Sequence, residues 1–113
     1  MSERYNFLEV EKFTANDPFA LKDMIRIFLK SVPETREEIN KAYKESNHEK
    51  FCYYSHKLKS SIDLLNIWEL KAEIRILENC SISDFHTPRI GKLVGDLNRV
   101  LDELLPEIEK EIE

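Results

Sequence analysis

The segment from Asp17 to Pro33 has the sequence DPFALKDMIRIFLKSVP and indicates the fold class. It begins with an aspartate whose side chain can cap a helix, followed by a proline at the first helical position, where its missing N–H has no cost. The apolar residues that follow recur at helical spacing. They are Phe19, Met24, Ile25, Phe28, Leu29 and Val32. The segment therefore predicts an amphipathic helix that ends at Pro33.

Similar start and stop signals recur along the rest of the chain. Asn47 and Thr87 are predicted N-caps, and Asn66 is expected to close a helix in the left-handed conformation. Residues 80–86 are predicted to form a polar loop, and Pro106 should kink or loosen the last turns of the final helix. We predict helices over 34–46, 48–65, 67–79 and from Pro88 to near the C-terminus.

Composition supports an all-helical chain. The 113 residues include only 2 glycines and 4 prolines, too few for the frequent turns of an all-β domain. We predict an all-α fold, an antiparallel up-and-down four-helix bundle with an additional N-terminal helix. The length favours a single domain over residues 1–113, with residues 1–16 as an N-terminal lead-in.

Charge and cysteine content narrow the possible functions. The net charge is −5 and no basic stripe is visible, which argues against a nucleic-acid partner. No apolar run approaches the roughly 20 residues of a membrane span, and no secretory signal is recognisable. The two cysteines, Cys52 and Cys80, match no disulfide framework. We expect a cytoplasmic protein without membrane insertion.

A helical wheel of residues 48–65 separates two faces. The apolar face gathers Phe51, Tyr54, Leu58, Ile62 and Leu65. At about 100° per residue, His56 falls on the opposite side, roughly 160° from Leu58. Cys52, Tyr53, Ser60 and Asp63 flank His56 on that outer face. The wheel predicts an exposed histidine rather than a core histidine.

An exposed imidazole can act as a nucleophile and accept a phosphoryl group on a ring nitrogen. Such a step benefits from a nearby cation, and Lys59, at i+3 from His56, is a neighbour on the helix surface. Ser60 is small, so a partner could approach the imidazole without a clash. These residue types favour a phosphoryl-accepting site at His56.

The segment His56-Lys57-Leu58-Lys59-Ser60-Ser61, followed by Leu65, resembles the signature of histidine phosphotransfer (HPt) domains, H-x-L-K-G-S-S-x-x-L-G. The resemblance covers about 5–78. Ser60 stands where the family usually has glycine, and Asn66 stands at its second glycine. The resemblance implies that His56 is the phosphorylated residue and that Lys59 stabilises charge.

The resemblance also implies partners and a role. The chain would relay a phosphoryl group between aspartates of receiver domains in a two-component phosphorelay, with response regulators or a hybrid sensor kinase as partners. It would be a carrier rather than an enzyme and would need no cofactor, since Mg²⁺ belongs to the receiver. Tyr53, Ser60 and Asp63 would contact the partner, and one nucleophile per chain favours a monomer.

Two alternatives remain open from the sequence. His48, Cys52 and His56 recur at i, i+4 and i+8, and imidazole and thiolate are good zinc ligands. However, positions i and i+8 lie about 12 Å apart along a helix axis, which disfavours one ion shared by all three. The chain could instead be a helical interaction bundle in which His56 has no chemical role.

Overall fold

The computed structural model describes residues 2–113, and the prediction of an all-α fold is confirmed. No strand occurs between residues 2 and 113. The helices are α1 (Leu8–Phe13), α2 (Pro18–Lys44), α3 (His48–Leu64), α4 (Trp68–Asn79), α5 (Ile82–Phe85) and α6 (Pro88–Glu111). No helix of this described part is both long and apolar enough to cross a bilayer.

Three of the local signals act as predicted. The Asp17 side chain accepts hydrogen bonds from the backbone N–H groups of Phe19 and Ala20 and so caps α2. The Asn47 side chain caps α3 in the same way. Asn66 has φ 48°, the left-handed conformation expected where the chain turns out of α3. Short polar residues thus set where α2 begins and where α3 begins and ends.

The prediction that Pro33 ends a helix is wrong. Helix α2 continues through Pro33 to Lys44, so residues 34–46 are not a separate helix. Val32 and Ile39 are buried on either side of the proline and lie seven residues apart, so one apolar face runs through it. Proline removes one backbone hydrogen bond, and burial of this continuous face outweighs that loss.

The C-terminal third differs from the prediction in two places. Residues 80–86 are not simply a polar loop, because they contain α5, whose Phe85 is buried in the core. Helix α6 is not loosened at Pro106, since it runs on to Glu111 with Leu104 and Ile108 fully buried. Thr87 precedes α6 as predicted, but its side chain makes no capping hydrogen bond.

The four longest helices pack in sequence around one core: α2 contacts α3, α3 contacts α4, α4 contacts α6, and α6 contacts α2. Cross-helix pairs show that α2 and α6 run antiparallel. The side-chain amides of Asn40 and Asn98 exchange hydrogen bonds of 3.0 and 2.9 Å, and Arg36 pairs with Asp102 at 2.5 Å. Helix α3 packs against both α2 and α4, which are its two main neighbours.

The N-terminal lead-in is part of the core. Tyr5, Phe7 and Val10 are buried, and the Tyr5 hydroxyl donates a 2.5 Å hydrogen bond to Glu111. Helix α1 contacts α2 and α3, as the predicted additional N-terminal helix would. The lead-in therefore closes the end of the helix assembly where α3 ends and α6 ends.

The two glycines of α6 offer a matched test of packing. A Cβ at Gly91 would lie 2.7 Å from the Tyr43 hydroxyl, whereas a Cβ at Gly95 would have no neighbour within 4 Å. Gly95→Ala should therefore stabilise the chain by about 1 kcal/mol, the helix-propensity difference. Gly91→Ala should gain less or lose stability, because the packed Tyr43 ring must tilt.

Urea denaturation of both alanine variants, with and without Tyr43→Phe, checks this expectation. In the Tyr43→Phe background, which lacks the hydroxyl, Gly91→Ala should stabilise the chain as much as Gly95→Ala does. Equal gains for the two alanine variants in the Tyr43 background would contradict the close contact.

Glu73 on α4 provides a pH test. Its Oε2 atom is buried and has no hydrogen-bond partner within residues 2–113. Burial, and then the charge of Asp96, raises its pKa above the ordinary value, although Arg99 and Lys92 oppose the shift. A raised folded-state pKa means that stability is lost as pH rises from the unfolded pKa of about 4.3 through the folded value. Glu73→Gln should therefore stabilise the chain at neutral pH, by up to about 1 kcal/mol.

Urea denaturation of parent and Glu73→Gln near neutral pH and below about pH 4 measures this difference. The advantage of the variant should shrink in acid, where the parent carboxyl is protonated. Glu109→Gln, at an exposed position, is the control and should change little at either pH. An equal advantage for Glu73→Gln at both pH values would show that ionisation is not its cause.

Candidate functional site

Helix α3 presents His56 to solvent, as the wheel predicts. The side chains that face the core are Phe51, Ser55, Leu58 and Ile62, each no more than 1% exposed. The side chain of His56 lies on the opposite side and is 65% exposed. The predicted exposure of this imidazole is therefore confirmed.

A carboxylate on the neighbouring helix holds the ring. His56 Nδ1 is hydrogen-bonded to Glu78 Oε1 near the end of α4, and the Glu78 side chain is only 13% exposed. An ionised carboxylate can only accept hydrogen bonds, so Nδ1 carries the proton. Nε2 makes no hydrogen bond to any of residues 2–113. When the ring is neutral, this arrangement presents the lone pair of Nε2 outward.

Lys59 joins the same carboxylate. Its Nζ atom lies 3.0 Å from Glu78 Oε2, and the lysine side chain is 27% exposed. The hydrogen bond from His56, and after it the one from Lys59, outweighs burial and lowers the pKa of Glu78. Glu78 is thus ionised at neutral pH and is shared by the two residues that the sequence singles out. Sequence reasoning missed Glu78, which lies 22 residues from His56.

The predicted partner-contact residues differ in accessibility. Tyr53 is 57% exposed and its ring stacks edge-on against Tyr54. Ser60 is exposed on the same helix. Asp63 is partly buried and forms an ion pair of 2.9 Å with Arg75 on α4. Tyr53 and Ser60 are accessible to a partner near His56, whereas Asp63 is held by α4.

The fold brings together a different set of possible metal ligands from the one that the sequence suggests. Among residues 2–113, one group could hold an ion with at least three His, Cys or acidic ligands, and it consists of His48, Cys52 and Cys80. His56 does not join it, because its ring is turned to Glu78. Cys80, which follows the last residue of α4, takes the third place. The set His48, Cys52 and His56 is therefore not brought together by the fold.

The cysteine and histidine side chains of this group are close to one another. His48 Nε2 donates a 2.6 Å hydrogen bond to the Cys80 carbonyl oxygen and lies 3.4 Å from Cys52 Sγ. Burial raises the pKa of the Cys52 thiol and raises that of Cys80 to about 12. Both cysteines are free thiols rather than a disulfide. Without a metal or another cation beside them, these thiols are protonated and weakly nucleophilic.

Comparisons of the chain with protein-family models, with curated proteins and with solved structures find no match.

The role of Glu78 predicts a tautomer that can be measured. Nitrogen chemical shifts of His56 under mildly alkaline conditions should report the Nδ1–H form in the parent chain, because the carboxylate accepts that proton. In Glu78→Ala the ring should lose this preference. A ring that carries its proton on Nε2 in the parent chain would contradict the arrangement.

Proposed function

We propose that the chain is a phosphoryl carrier that accepts a phosphoryl group on Nε2 of His56. The observation that supports this most directly is the pairing of an exposed imidazole with a shared, largely buried carboxylate. Glu78 binds His56 through Nδ1 and Lys59 through its ammonium group. The outward nitrogen is left free for reaction.

The donor that suits this nitrogen is an acyl phosphate, such as the phosphorylated aspartate of a receiver domain. The Nε2 lone pair attacks phosphorus, a P–N bond forms and the P–O bond to the aspartate breaks. The aspartate carboxylate leaves with the electron pair of that bond. The imidazole becomes positively charged, and the Glu78 carboxylate on Nδ1–H stabilises that charge. The reverse reaction passes the group to a second receiver.

Lys59 contributes by charge. A lone carboxylate beside the ring would repel the negative phosphoryl group, and the lysine, 3.0 Å from Glu78, compensates that charge. In phosphoryl transfer most of the catalysis comes from positioning and charge stabilisation. The metal ion and acidic residues for the step would come from the receiver, consistent with a carrier that is not itself an enzyme. Cofactor independence of this chain is part of the proposal.

The resemblance to HPt domains supports the same function through His56, Leu58, Lys59 and Leu65. The position of the family's second serine holds Ile62 here, which is buried. That departure lies in the core and leaves the exposed side around His56 unchanged. Partner docking would use this exposed side, with Tyr53 and Ser60 accessible.

Phosphotransfer from a panel of phosphorylated receiver domains tests the proposal. The parent chain should acquire label that is lost in acid and kept in alkali, as expected for a P–N bond. His56→Gln should acquire none, and its urea denaturation curve should show that the variant is folded. His86→Gln removes another exposed histidine and should keep full labelling. Glu78→Ala should slow labelling at least about tenfold.

Phosphoramidate, a small donor that needs no partner, makes the assay independent of the choice of receiver. Labelling of His56 by phosphoramidate without transfer from any receiver would refute the receiver partners tested and retain the nucleophile. Undiminished label on folded His56→Gln would refute the site. The alternative of a helical interaction bundle predicts no transfer to His56 from any receiver domain.

A further inference from the structure

A second cluster of reactive side chains lies across the α3–α4 contact, one helical turn before His56. His48 and Cys52 are one turn apart on α3, and Cys80 directly follows the last residue of α4. One imidazole nitrogen and two sulfur atoms lie within 4.8 Å of one another. None of the three residues belongs to the His56 site.

The spacing of these donors suits a small tetrahedral metal ion. Zinc binds thiolate sulfur at about 2.3 Å and imidazole nitrogen at about 2.0–2.1 Å, which places neighbouring ligand atoms about 3.5 Å apart. The 3.4 Å between Cys52 Sγ and His48 Nε2 already has this separation. The Cys80 sulfur lies within 4.8 Å of the other two donor atoms, so it must move closer by at most about 1.3 Å to join them.

We propose that His48, Cys52 and Cys80 bind a thiophilic divalent metal ion, with Zn²⁺ the ion that the donors suit best. Sulfur and imidazole ligands select zinc over Mg²⁺ and Ca²⁺, which prefer oxygen. Two thiolates balance the charge of the ion, so the complex is neutral in its partly buried position. Three protein ligands leave a fourth position, which solvent fills because His48 and Cys52 are partly exposed.

Binding must release protons. Each thiol gives its proton to solvent as its sulfur binds the ion, so two protons leave per ion. The Cys80 carbonyl oxygen, 2.6 Å from His48 Nε2, must move away so that the ion can take its place, and the ring proton moves from Nε2 to Nδ1 through exchange with solvent. No electron transfer is involved, and both sulfur atoms remain reduced.

Titration of the reduced parent chain with Co²⁺ tests the site, because Co²⁺ occupies zinc sites and is coloured. We expect one ion per chain, thiolate-to-cobalt charge-transfer absorption, tetrahedral visible bands, and two protons released per ion. Zn²⁺ should displace the colour. Absence of the charge-transfer band would overturn the proposal.

Substitutions assign the ligands. Cys52→Ser, Cys80→Ser and His48→Gln should each weaken Co²⁺ binding at least about tenfold. His56→Gln and His86→Gln are the matched controls and should bind as the parent does. Unchanged binding by folded Cys80→Ser, or lost binding by His56→Gln, would contradict the ligand set. Neither result depends on phosphotransfer, so this proposal and the proposed function can fail separately.

A measurement on the parent chain covers the case in which Cys80→Ser fails to fold. The NMR chemical shift of bound Cd²⁺ increases with the number of thiolate ligands. A shift typical of two sulfur ligands with nitrogen would support the site. A shift typical of one sulfur ligand or of oxygen ligands would overturn it.

Discussion

Burial of one face of α3 is the constraint on which the rest of the structure depends. Phe51, Ser55, Leu58 and Ile62 follow one another at intervals of four, three and four residues and are all buried. Since α3 packs on both α2 and α4, rotation about its axis would expose large apolar side chains. Loss of one such side chain alone costs about 2–5 kcal/mol. The orientation of α3 is thereby fixed, and His56 must face solvent.

The antiparallel contact between α3 and α4 places side chains of the α4 region beside the reactive residues of α3. Three pairs of side chains follow one another along this contact, with residue numbers that rise on α3 and fall on the α4 side. They are Cys52 with Cys80, Lys59 with Glu78, and Asp63 with Arg75. A single helix–helix interface therefore supplies the partner of each reactive residue on α3. The proposed metal ligands lie at one end of this interface, and the Asp63–Arg75 ion pair lies toward the other. The shared carboxylate of Glu78 lies between them.

Features set by neighbouring residues could be predicted from the sequence, and those set by packing register could not. The left-handed Asn66 and the exposed His56 depend on local turns and on one helical period. Glu78 and Cys80 meet α3 only once α4 has folded back, which no local pattern encodes. The continuation of α2 through Pro33 escapes a local rule because the loss of one backbone hydrogen bond is outweighed by the apolar face that continues across the proline.

The same interface gives two histidines of α3 opposite properties. Nε2 of His48 donates to the Cys80 carbonyl, and its ring packs edge-on against the buried Phe85 at 5.5 Å. His56 uses Nδ1 for its carboxylate partner and leaves Nε2 toward solvent. A bulky partner domain can reach the ring of His56 but not that of His48. A small ion beside the two thiols can reach the ring of His48. Because the end of α4 engages a different ring nitrogen in each case, His56 keeps Nε2 toward solvent, whereas His48 has to release its hydrogen bond before Nε2 can bind the proposed ion.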